Sequence, residues 1–199
     1  MSQLRRIGFT TLSLVVLCLG AATVTRADTI TFTGSRTASN NPPPTTNVGR
    51  CGAAPNLLIT PSTGTGTSNF GAFTTQESFC VNPLAMIVSN GLFTFNFANG
   101  STLLGTVSGS VQPTVNGIQP VSLIFSVTGG TGLFAGATGS LLANGLVTFL
   151  PGGFTNATLN FNGTINTVPE PTTMLLLVTG LAGVGAAVRR RRRKATSEE

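Results

Sequence analysis

The chain has 199 residues and a formal net charge of +6, and it contains no His, Trp or Tyr. Its charge lies at the two ends, because residues 28–167 carry only Asp28, Arg36, Arg50 and Glu77 and are formally neutral. A neutral body has no basic patch for phosphate backbones, which excludes nucleic acid as a partner. Without His or Lys, this body also cannot assemble a Ser-His-Asp or Cys-His arrangement.

The N-terminus has the layout of a secretory signal peptide. Two arginines in the first six residues precede a mostly apolar run over 7–19, and Thr25 and Ala27 supply small residues at the −3 and −1 positions of a cleavage site. We predict a signal peptide over 1–27, which the general export machinery recognises and signal peptidase cuts between Ala27 and Asp28. An uncleaved anchor is the alternative, but the apolar run is shorter than the roughly 20 residues of a spanning helix.

Two cysteines remain after this cleavage, Cys51 and Cys80. In an oxidising compartment an even pair predicts a disulfide, which would close a loop of about 30 residues and contribute roughly 3 to 4 kcal/mol. Two buried free thiols are the alternative. The carboxylates of Asp28 and Glu77 are isolated in the sequence, so no metal site, cofactor or catalytic carboxylate pair is expected.

The first half of the body is predicted to be irregular. Residues 28–34 alternate polar and apolar side chains like a first strand. Tracts rich in Asn, Pro, Thr and Gly follow over 35–49 and 61–69, and such tracts are typical of loops. The sequence therefore predicts that 35–69 is largely loop and poorly ordered.

The second half of the body alternates with period two in several successive segments. One face of these segments carries the apolar residues Phe93, Phe95, Phe97, Leu103, Val107, Val111, Val121, Leu123, Phe125, Val127, Ala157, Leu159, Phe161 and Ile165. Asn99-Gly100 supplies a hairpin turn. This pattern predicts an all-β body, an antiparallel sheet with one buried face that closes into a barrel or stacks as a sandwich.

The segment 127–140, VTGGTGLFAGATGS, resembles the GGTGxFxGAxG turn of dirigent-type and allene-oxide-cyclase-like β-barrels. In those barrels the turn joins neighbouring strands and packs its Phe inside. The resemblance implies a barrel rather than a sandwich, and no activity follows from it. The residues that match are Gly129, Gly130, Gly132, Phe134 and Gly136. They lack the Gly-Lys-Ser/Thr ending of a phosphate-binding loop, so turn glycines are the better interpretation.

The C-terminus has an apolar run followed by a basic cluster. Residues 174–188 are 15 uncharged residues, about 22 Å of helix against a hydrocarbon core of about 30 Å. Two preceding threonines and long basic side chains extend this length, so we predict a transmembrane helix over 172–188 in the inner membrane. The positive-inside rule keeps 189–194 in the cytoplasm and the body outside, with 195–199 as a short tail. The basic residues are Arg189, Arg190, Arg191, Arg192, Arg193 and Lys194.

A proline-rich motif precedes this helix: Val168, Pro169, Glu170 and Pro171. The whole segment 168–194 resembles the PEP-CTERM sorting signal of Gram-negative bacteria, which joins these residues to a transmembrane run and an arginine cluster. The resemblance implies that an exosortase recognises the motif and removes the tail, and that the product reaches the cell surface or an extracellular matrix. An ordinary single-pass anchor is the alternative.

These observations predict a surface-sorted, non-enzymatic β-protein of the outer envelope or of an exopolysaccharide or biofilm matrix, with exopolysaccharide as a partner. The alternative is a ligand-binding or weakly catalytic barrel whose interior accepts a small apolar molecule. A pocket with convergent polar groups would favour the alternative. A lumen filled by Phe93, Phe95, Phe125 and Phe161 would favour the structural role.

Overall fold

The computed structural model describes residues 28–40, 44–46, 49–167 and 179–185. Residues 179–185 form a short helix, which belongs to a different compact unit from the body and is described separately. The body consists of strands joined by short connections. In the described residues these strands are β1 (Asp28–Asn40), β2 (Thr45–Thr46), β3 (Leu57–Ser68), β4 (Gly71–Asn82), β5 (Ile87–Phe97), β6 (Thr102–Val111), β7 (Ile118–Thr131), β8 (Thr138–Phe149) and β9 (Thr155–Thr167).

Eight of these strands close into an antiparallel barrel. From β3 to β9 each strand pairs with the next one in the chain, and β1 pairs with both β9 and β3. The two-residue β2 adds only to one end of β3. Closure leaves no exposed sheet edge among the eight strands, which removes the usual route to strand aggregation. The all-β prediction is confirmed, and the barrel replaces the sandwich.

The prediction that 35–69 is largely loop is wrong for two long strands. β1 continues to Asn40, and β3 runs from Leu57 to Ser68. In β3 the threonines at 63, 65 and 67 face outwards, while Gly64 and Gly66 take the inward positions. A glycine has no side chain with which to mark a buried face, so this strand shows no apolar alternation. Its backbone is nevertheless paired on both sides, with β1 and with β4.

The inward positions predicted for the second half are confirmed. Phe95, Phe125, Leu103 and Ile165 are fully buried, and the other members of the predicted apolar face are buried or half-buried. Phenylalanines fill the half of the barrel in which β1 begins. Phe95 lies 5.4 Å from Phe161 between ring centroids, and Phe93 lies 5.1 Å from Phe125, both edge-to-face.

Candidate functional site

The half of the barrel in which β1 ends holds a cavity of about 290 Å³. All eight barrel strands contribute to its wall, because each directs a side chain inwards at this level. The wall is mainly apolar, and its buried members include Val88, Val111, Val121, Leu123 and Leu159. The lumen is therefore packed by aromatic rings in one half and open in the other.

An ion pair inside the lumen joins β1 to β4 beside this cavity. Arg36 of β1 and Glu77 of β4 are 3% and 2% exposed, and Nη2 of Arg36 donates a hydrogen bond to Oε2 of Glu77. The hydroxyl of Thr75 donates a second hydrogen bond, of 2.8 Å, to Oε1 of Glu77. Arg36 lines the cavity, whereas both carboxylate oxygens of Glu77 are already occupied. The carboxylate thus holds the guanidinium in position.

Glycines on the intervening strand allow β3 to lie close to its neighbours beside this ion pair. β1 and β4 do not pair at this level, because β3 lies between them. A Cβ at Gly66 would lie 2.5 Å from the Ser35 carbonyl oxygen and 2.9 Å from Cε1 of Phe73, and one at Gly64 would lie 2.6 Å from Cβ of Ala38. Side chains at these two positions would therefore collide with β1 and with the Phe73 ring.

Three nitrogen atoms at the cavity carry donors without an acceptor. Nε and Nη1 of Arg36 and Nδ2 of Asn40 are buried and have no hydrogen-bond partner among the described residues. Oδ1 of Asn40 accepts a 3.0 Å hydrogen bond from the hydroxyl of Thr155, which leaves Nδ2 as the amide atom that faces the cavity without a partner among the described residues. Both Arg36 and Asn40 line the cavity. Since a buried unpaired donor costs about 1 to 3 kcal/mol, this arrangement favours an acceptor inside the cavity.

Burial moves both ionisable groups of the pair towards their neutral forms. It lowers the pKa of the Arg36 guanidinium, and the nearby Glu77 carboxylate opposes that shift. It raises the pKa of the Glu77 carboxyl, against the opposing effects of Arg36 and Thr75. Arginine keeps its proton in proteins, and its hydrogen bond to Oε2 of Glu77 favours the ionised carboxylate. An ionised pair has zero net charge, which constrains what the cavity can bind.

Sequence reasoning missed this site. It treated Arg36 and Glu77 as two charges that balance, and it assigned Arg36 and Asn40 to a loop. A signal was present: Arg36 and Asn40 continue the inward positions of Phe32, and Glu77 continues those of Phe73 and Thr75. Polar residues at inward positions of a strand are functional candidates. Asp28, the other carboxylate considered, is exposed at the start of β1.

The predicted disulfide is present in the structure. It joins Cys51, at the end of the 3-10 turn Gly49–Cys51, to Cys80 on β4, with 5.4 Å between the two Cα atoms. The two cysteines pack with Leu58 of β3 in a small cluster of their own. The disulfide therefore ties the connection before β3 to the barrel.

The glycine-rich segment joins β7 to β8. Gly129 and Gly130 are in the last part of β7, Gly132 begins the 3-10 turn Gly132–Phe134, and Gly136 precedes β8. Phe134 is fully buried, with its ring centroid 4.9 Å from that of Phe97 and 5.4 Å from that of Phe70. Phe134 therefore packs inside the barrel, the position predicted for it from the sequence.

Most of the predicted sorting signal lies outside the described residues. Its undescribed parts include Val168 to Pro171 and the basic cluster 189–194. The predicted signal peptide, 1–27, also lies outside the described residues. Within 172–188 the structure describes 179–185, which are helical and exposed. In the described part of the chain, no helix is long and apolar enough to span a membrane.

Comparison with known proteins identifies the C-terminal segment. Residues 167–193 match the PEP-CTERM protein-sorting motif. This match confirms the resemblance stated for 168–194. No curated protein and no solved structure matches the chain. The likeness of the turn at 127–140 to dirigent-type barrels therefore stays a prediction.

Proposed function

From the PEP-CTERM protein-sorting motif at the C-terminus, we propose that the protein is an exported, surface-sorted component of the cell envelope or exopolysaccharide matrix of a Gram-negative bacterium. The motif implies export and an exosortase as processing partner. In our proposal signal peptidase removes 1–27, the segment 172–188 holds the chain in the inner membrane, and the exosortase then releases the body from its basic tail.

The chemistry of the body supports a non-catalytic role. Of its two carboxylates, Glu77 is buried with both oxygens hydrogen-bonded, and Asp28 is exposed at the far end of β1. A general acid or base has to reach a substrate proton, and neither group is arranged to do so in a shared cleft. We therefore propose a binding or structural role for the barrel.

The outer surface supports contact with polysaccharide. Thr158, Thr37, Thr65 and Thr74 occupy one register row across β9, β1, β3 and β4, and all four side chains are exposed. Shallow grooves of about 730 and 470 Å³ cross this row. Hydroxyl groups both donate and accept hydrogen bonds, so an uncharged hydroxyl surface suits a partner rich in hydroxyl groups.

The sorting proposal is tested by the fate of the chain in a host with and without its exosortase. With the enzyme, we expect intact mass measurement to find a product that begins at Asp28 and lacks 189–194. Without the enzyme, the same body should retain 189–194 and fractionate with membranes. An identical intact C-terminus in both hosts would contradict the sorting proposal.

The matrix proposal is tested by cosedimentation of the exported protein with exopolysaccharide purified from the same host. Replacing Thr65 and Thr74 together by Val should reduce the bound fraction, because it removes hydroxyls from the exposed row. Thr106→Val is the matched control, since Thr106 is exposed on β6 outside this row. If the double variant and the Thr106→Val control bind the same fraction of exopolysaccharide, the hydroxyl row is not the binding surface.

The lumenal cavity favours a second function, the binding of a small, mainly apolar molecule inside the barrel. Its volume of about 290 Å³ is near the lower limit of typical ligand pockets. Ligand pockets typically combine an apolar wall with a few polar groups. This cavity has an apolar wall and the unpaired donors of Arg36 and Asn40.

A further inference from the structure

The unpaired donors narrow the class of molecule that the cavity would hold. We propose that it binds a neutral molecule with an apolar body and one carbonyl oxygen, and that Arg36 and Asn40 bind this oxygen. This inference rests on the second proposed function, ligand binding in the lumen. It adds the chemistry and orientation of the ligand.

The need for an oxygen acceptor follows from the hydrogen-bond inventory. Arg36 directs one N–H to Glu77, while its Nε and Nη1 have no partner among the described residues. The amide nitrogen of Asn40 is likewise without a partner in that part of the chain, and its oxygen is held by Thr155. Among the described residues, the buried wall therefore presents donors without an acceptor. An acceptor oxygen satisfies these donors, and a carbonyl oxygen with two lone pairs can accept from more than one of them.

The neutrality of the ligand follows from charge. Glu77 already neutralises Arg36 at hydrogen-bond contact, inside a lumen where each is at most 3% exposed. A carboxylate ligand would make the buried group net negative, and desolvating that unbalanced charge is expensive. A ketone, aldehyde or ester oxygen accepts the same hydrogen bonds without adding charge.

The size of the ligand follows from the volume and the wall. About 290 Å³ corresponds to roughly ten molecules of liquid water, and therefore to roughly ten non-hydrogen atoms of a ligand. Val88, Val121, Leu123 and Leu159 surround most of this space. A medium-length ketone such as 2-nonanone fits both the volume and the single acceptor.

The test compares three probes of similar size with the exported protein: 2-nonanone, decane and nonanoate. Native mass spectrometry and titration calorimetry should show the ketone binding about tenfold or more tightly than decane, the effect of hydrogen bonds to a charged donor. Nonanoate should bind more weakly than the ketone. A preference for nonanoate would overturn the neutrality of the ligand.

Variants distinguish the contribution of the hydrogen bonds to ligand binding from the contribution of the cavity volume. The double variant Arg36→Met with Glu77→Leu, and separately Asn40→Ala, should reduce the preference for ketone over decane, with Asn40→Ala providing the test if the double variant does not fold. Ala157→Leu should weaken all binding, because Ala157 lines the cavity. Arg50→Met is the matched control, since Arg50 bonds Ser78 on the exposed outer surface and should leave binding unchanged.

The possible outcomes distinguish ligand binding in the lumen from the recognition of a carbonyl oxygen by Arg36 and Asn40. Equal binding of ketone and decane, lost in Ala157→Leu, would retain ligand binding and overturn the role of Arg36 and Asn40. Binding of none of the three probes would overturn both, with water as the partner of the unpaired donors.

Discussion

At the scale of single residues, the barrel is distinguished by a buried ion pair made from half of the charged side chains of its body. Arg36 and Glu77 are separated by 41 positions in the chain and meet inside the lumen. A buried ion pair is weak evidence for stability, because desolvating both charges offsets their attraction. Its geometry points instead to ligand specificity, since Nε and Nη1 of Arg36 have no hydrogen-bond partner among the described residues.

A double-mutant cycle measures the coupling free energy between Arg36 and Glu77. Glu77→Leu should lower the free energy of unfolding by about 3 to 5 kcal/mol, because it leaves a guanidinium buried that cannot release its proton. Adding Arg36→Met should recover most of this loss, since two apolar side chains then fill the space. Urea unfolding of the exported protein with its disulfide intact gives both values. Additive losses in the double variant would mean that the two residues act independently.

The pH dependence of the stability of the Arg36→Met variant tests the direction of the Glu77 pKa shift. Burial raises the pKa of Glu77, and without Arg36 the opposing attraction is lost, so this pKa rises further. A raised folded-state pKa contributes stability that is complete below the unfolded value of about 4.3 and is lost as pH rises through the folded value.

The deficit of Arg36→Met relative to wild type should therefore shrink between pH 8 and pH 5. The slope is at most about 1.4 kcal/mol per pH unit, the limit for one proton. Urea titrations at several pH values measure it. The double variant with Glu77→Leu is the control and should lack this pH dependence. A deficit that grows on acidification would contradict the stated direction of the pKa shift.

At the scale of elements, β3 shows how a strand can be built without apolar alternation. Its inward glycines are too close to β1 and β4 to carry side chains, and its outward threonines suit a pleated, solvated face. The strand is held by backbone pairing with both neighbours rather than by its own side chains.

Gly66→Ala tests this account of β3. Its added methyl would meet the Ser35 carbonyl oxygen at 2.5 Å and the Phe73 ring, so we expect a loss of about 1 to 3 kcal/mol in the free energy of unfolding. Thr65→Ala, one position earlier and exposed, should change stability by at most about 0.5 kcal/mol. Similar values for both variants in urea unfolding would show that the close packing around Gly66 is relaxed in solution.

At the scale of the whole molecule, two parts of the chain carry different information. The barrel, 28–167, contains the packing, the disulfide and the cavity. The segment 167–193 matches a sorting motif. Each barrel strand pairs with neighbours that lie within 28–167, and β1 and β9 close the barrel. Changes in the sorting segment should therefore affect processing and leave barrel stability unchanged.

Variants of the motif test this separation in a host that contains the exosortase. Glu170→Ala and Pro171→Ala should each accumulate a longer, membrane-bound form, while the free energy of unfolding of the barrel stays at the wild-type value. Replacing the basic cluster 189–194 by serines should act differently, because a short helix without cytoplasmic charges is poorly retained. Immunoblots of membrane and released fractions measure both effects. Normal processing of the Glu170 and Pro171 variants would contradict a role for the motif.

Local patterns in the sequence predicted several features that the structure contains. Period-two alternation in Phe93 to Phe97 and in Leu159 to Ile165 identified buried faces, because side-chain direction in a strand depends only on position along it. The two cysteines predicted the disulfide, and the order of proline motif, apolar run and arginines predicted the sorting segment. Each of these predictions needs only a short stretch of sequence or, for the disulfide, the number of cysteines.

The tertiary structure alone decided the rest. β3 was not recognisable, because glycines at 64 and 66 remove the side chains from which alternation is read. The cavity, and the meeting of Arg36 with Glu77, require β1 to pair with β3 as well as β9, and this closure joins positions far apart in the chain. Whether a polar residue at an inward position ends as a solvated loop side chain or as a buried donor depends on that pairing, since only the closed barrel excludes water from it.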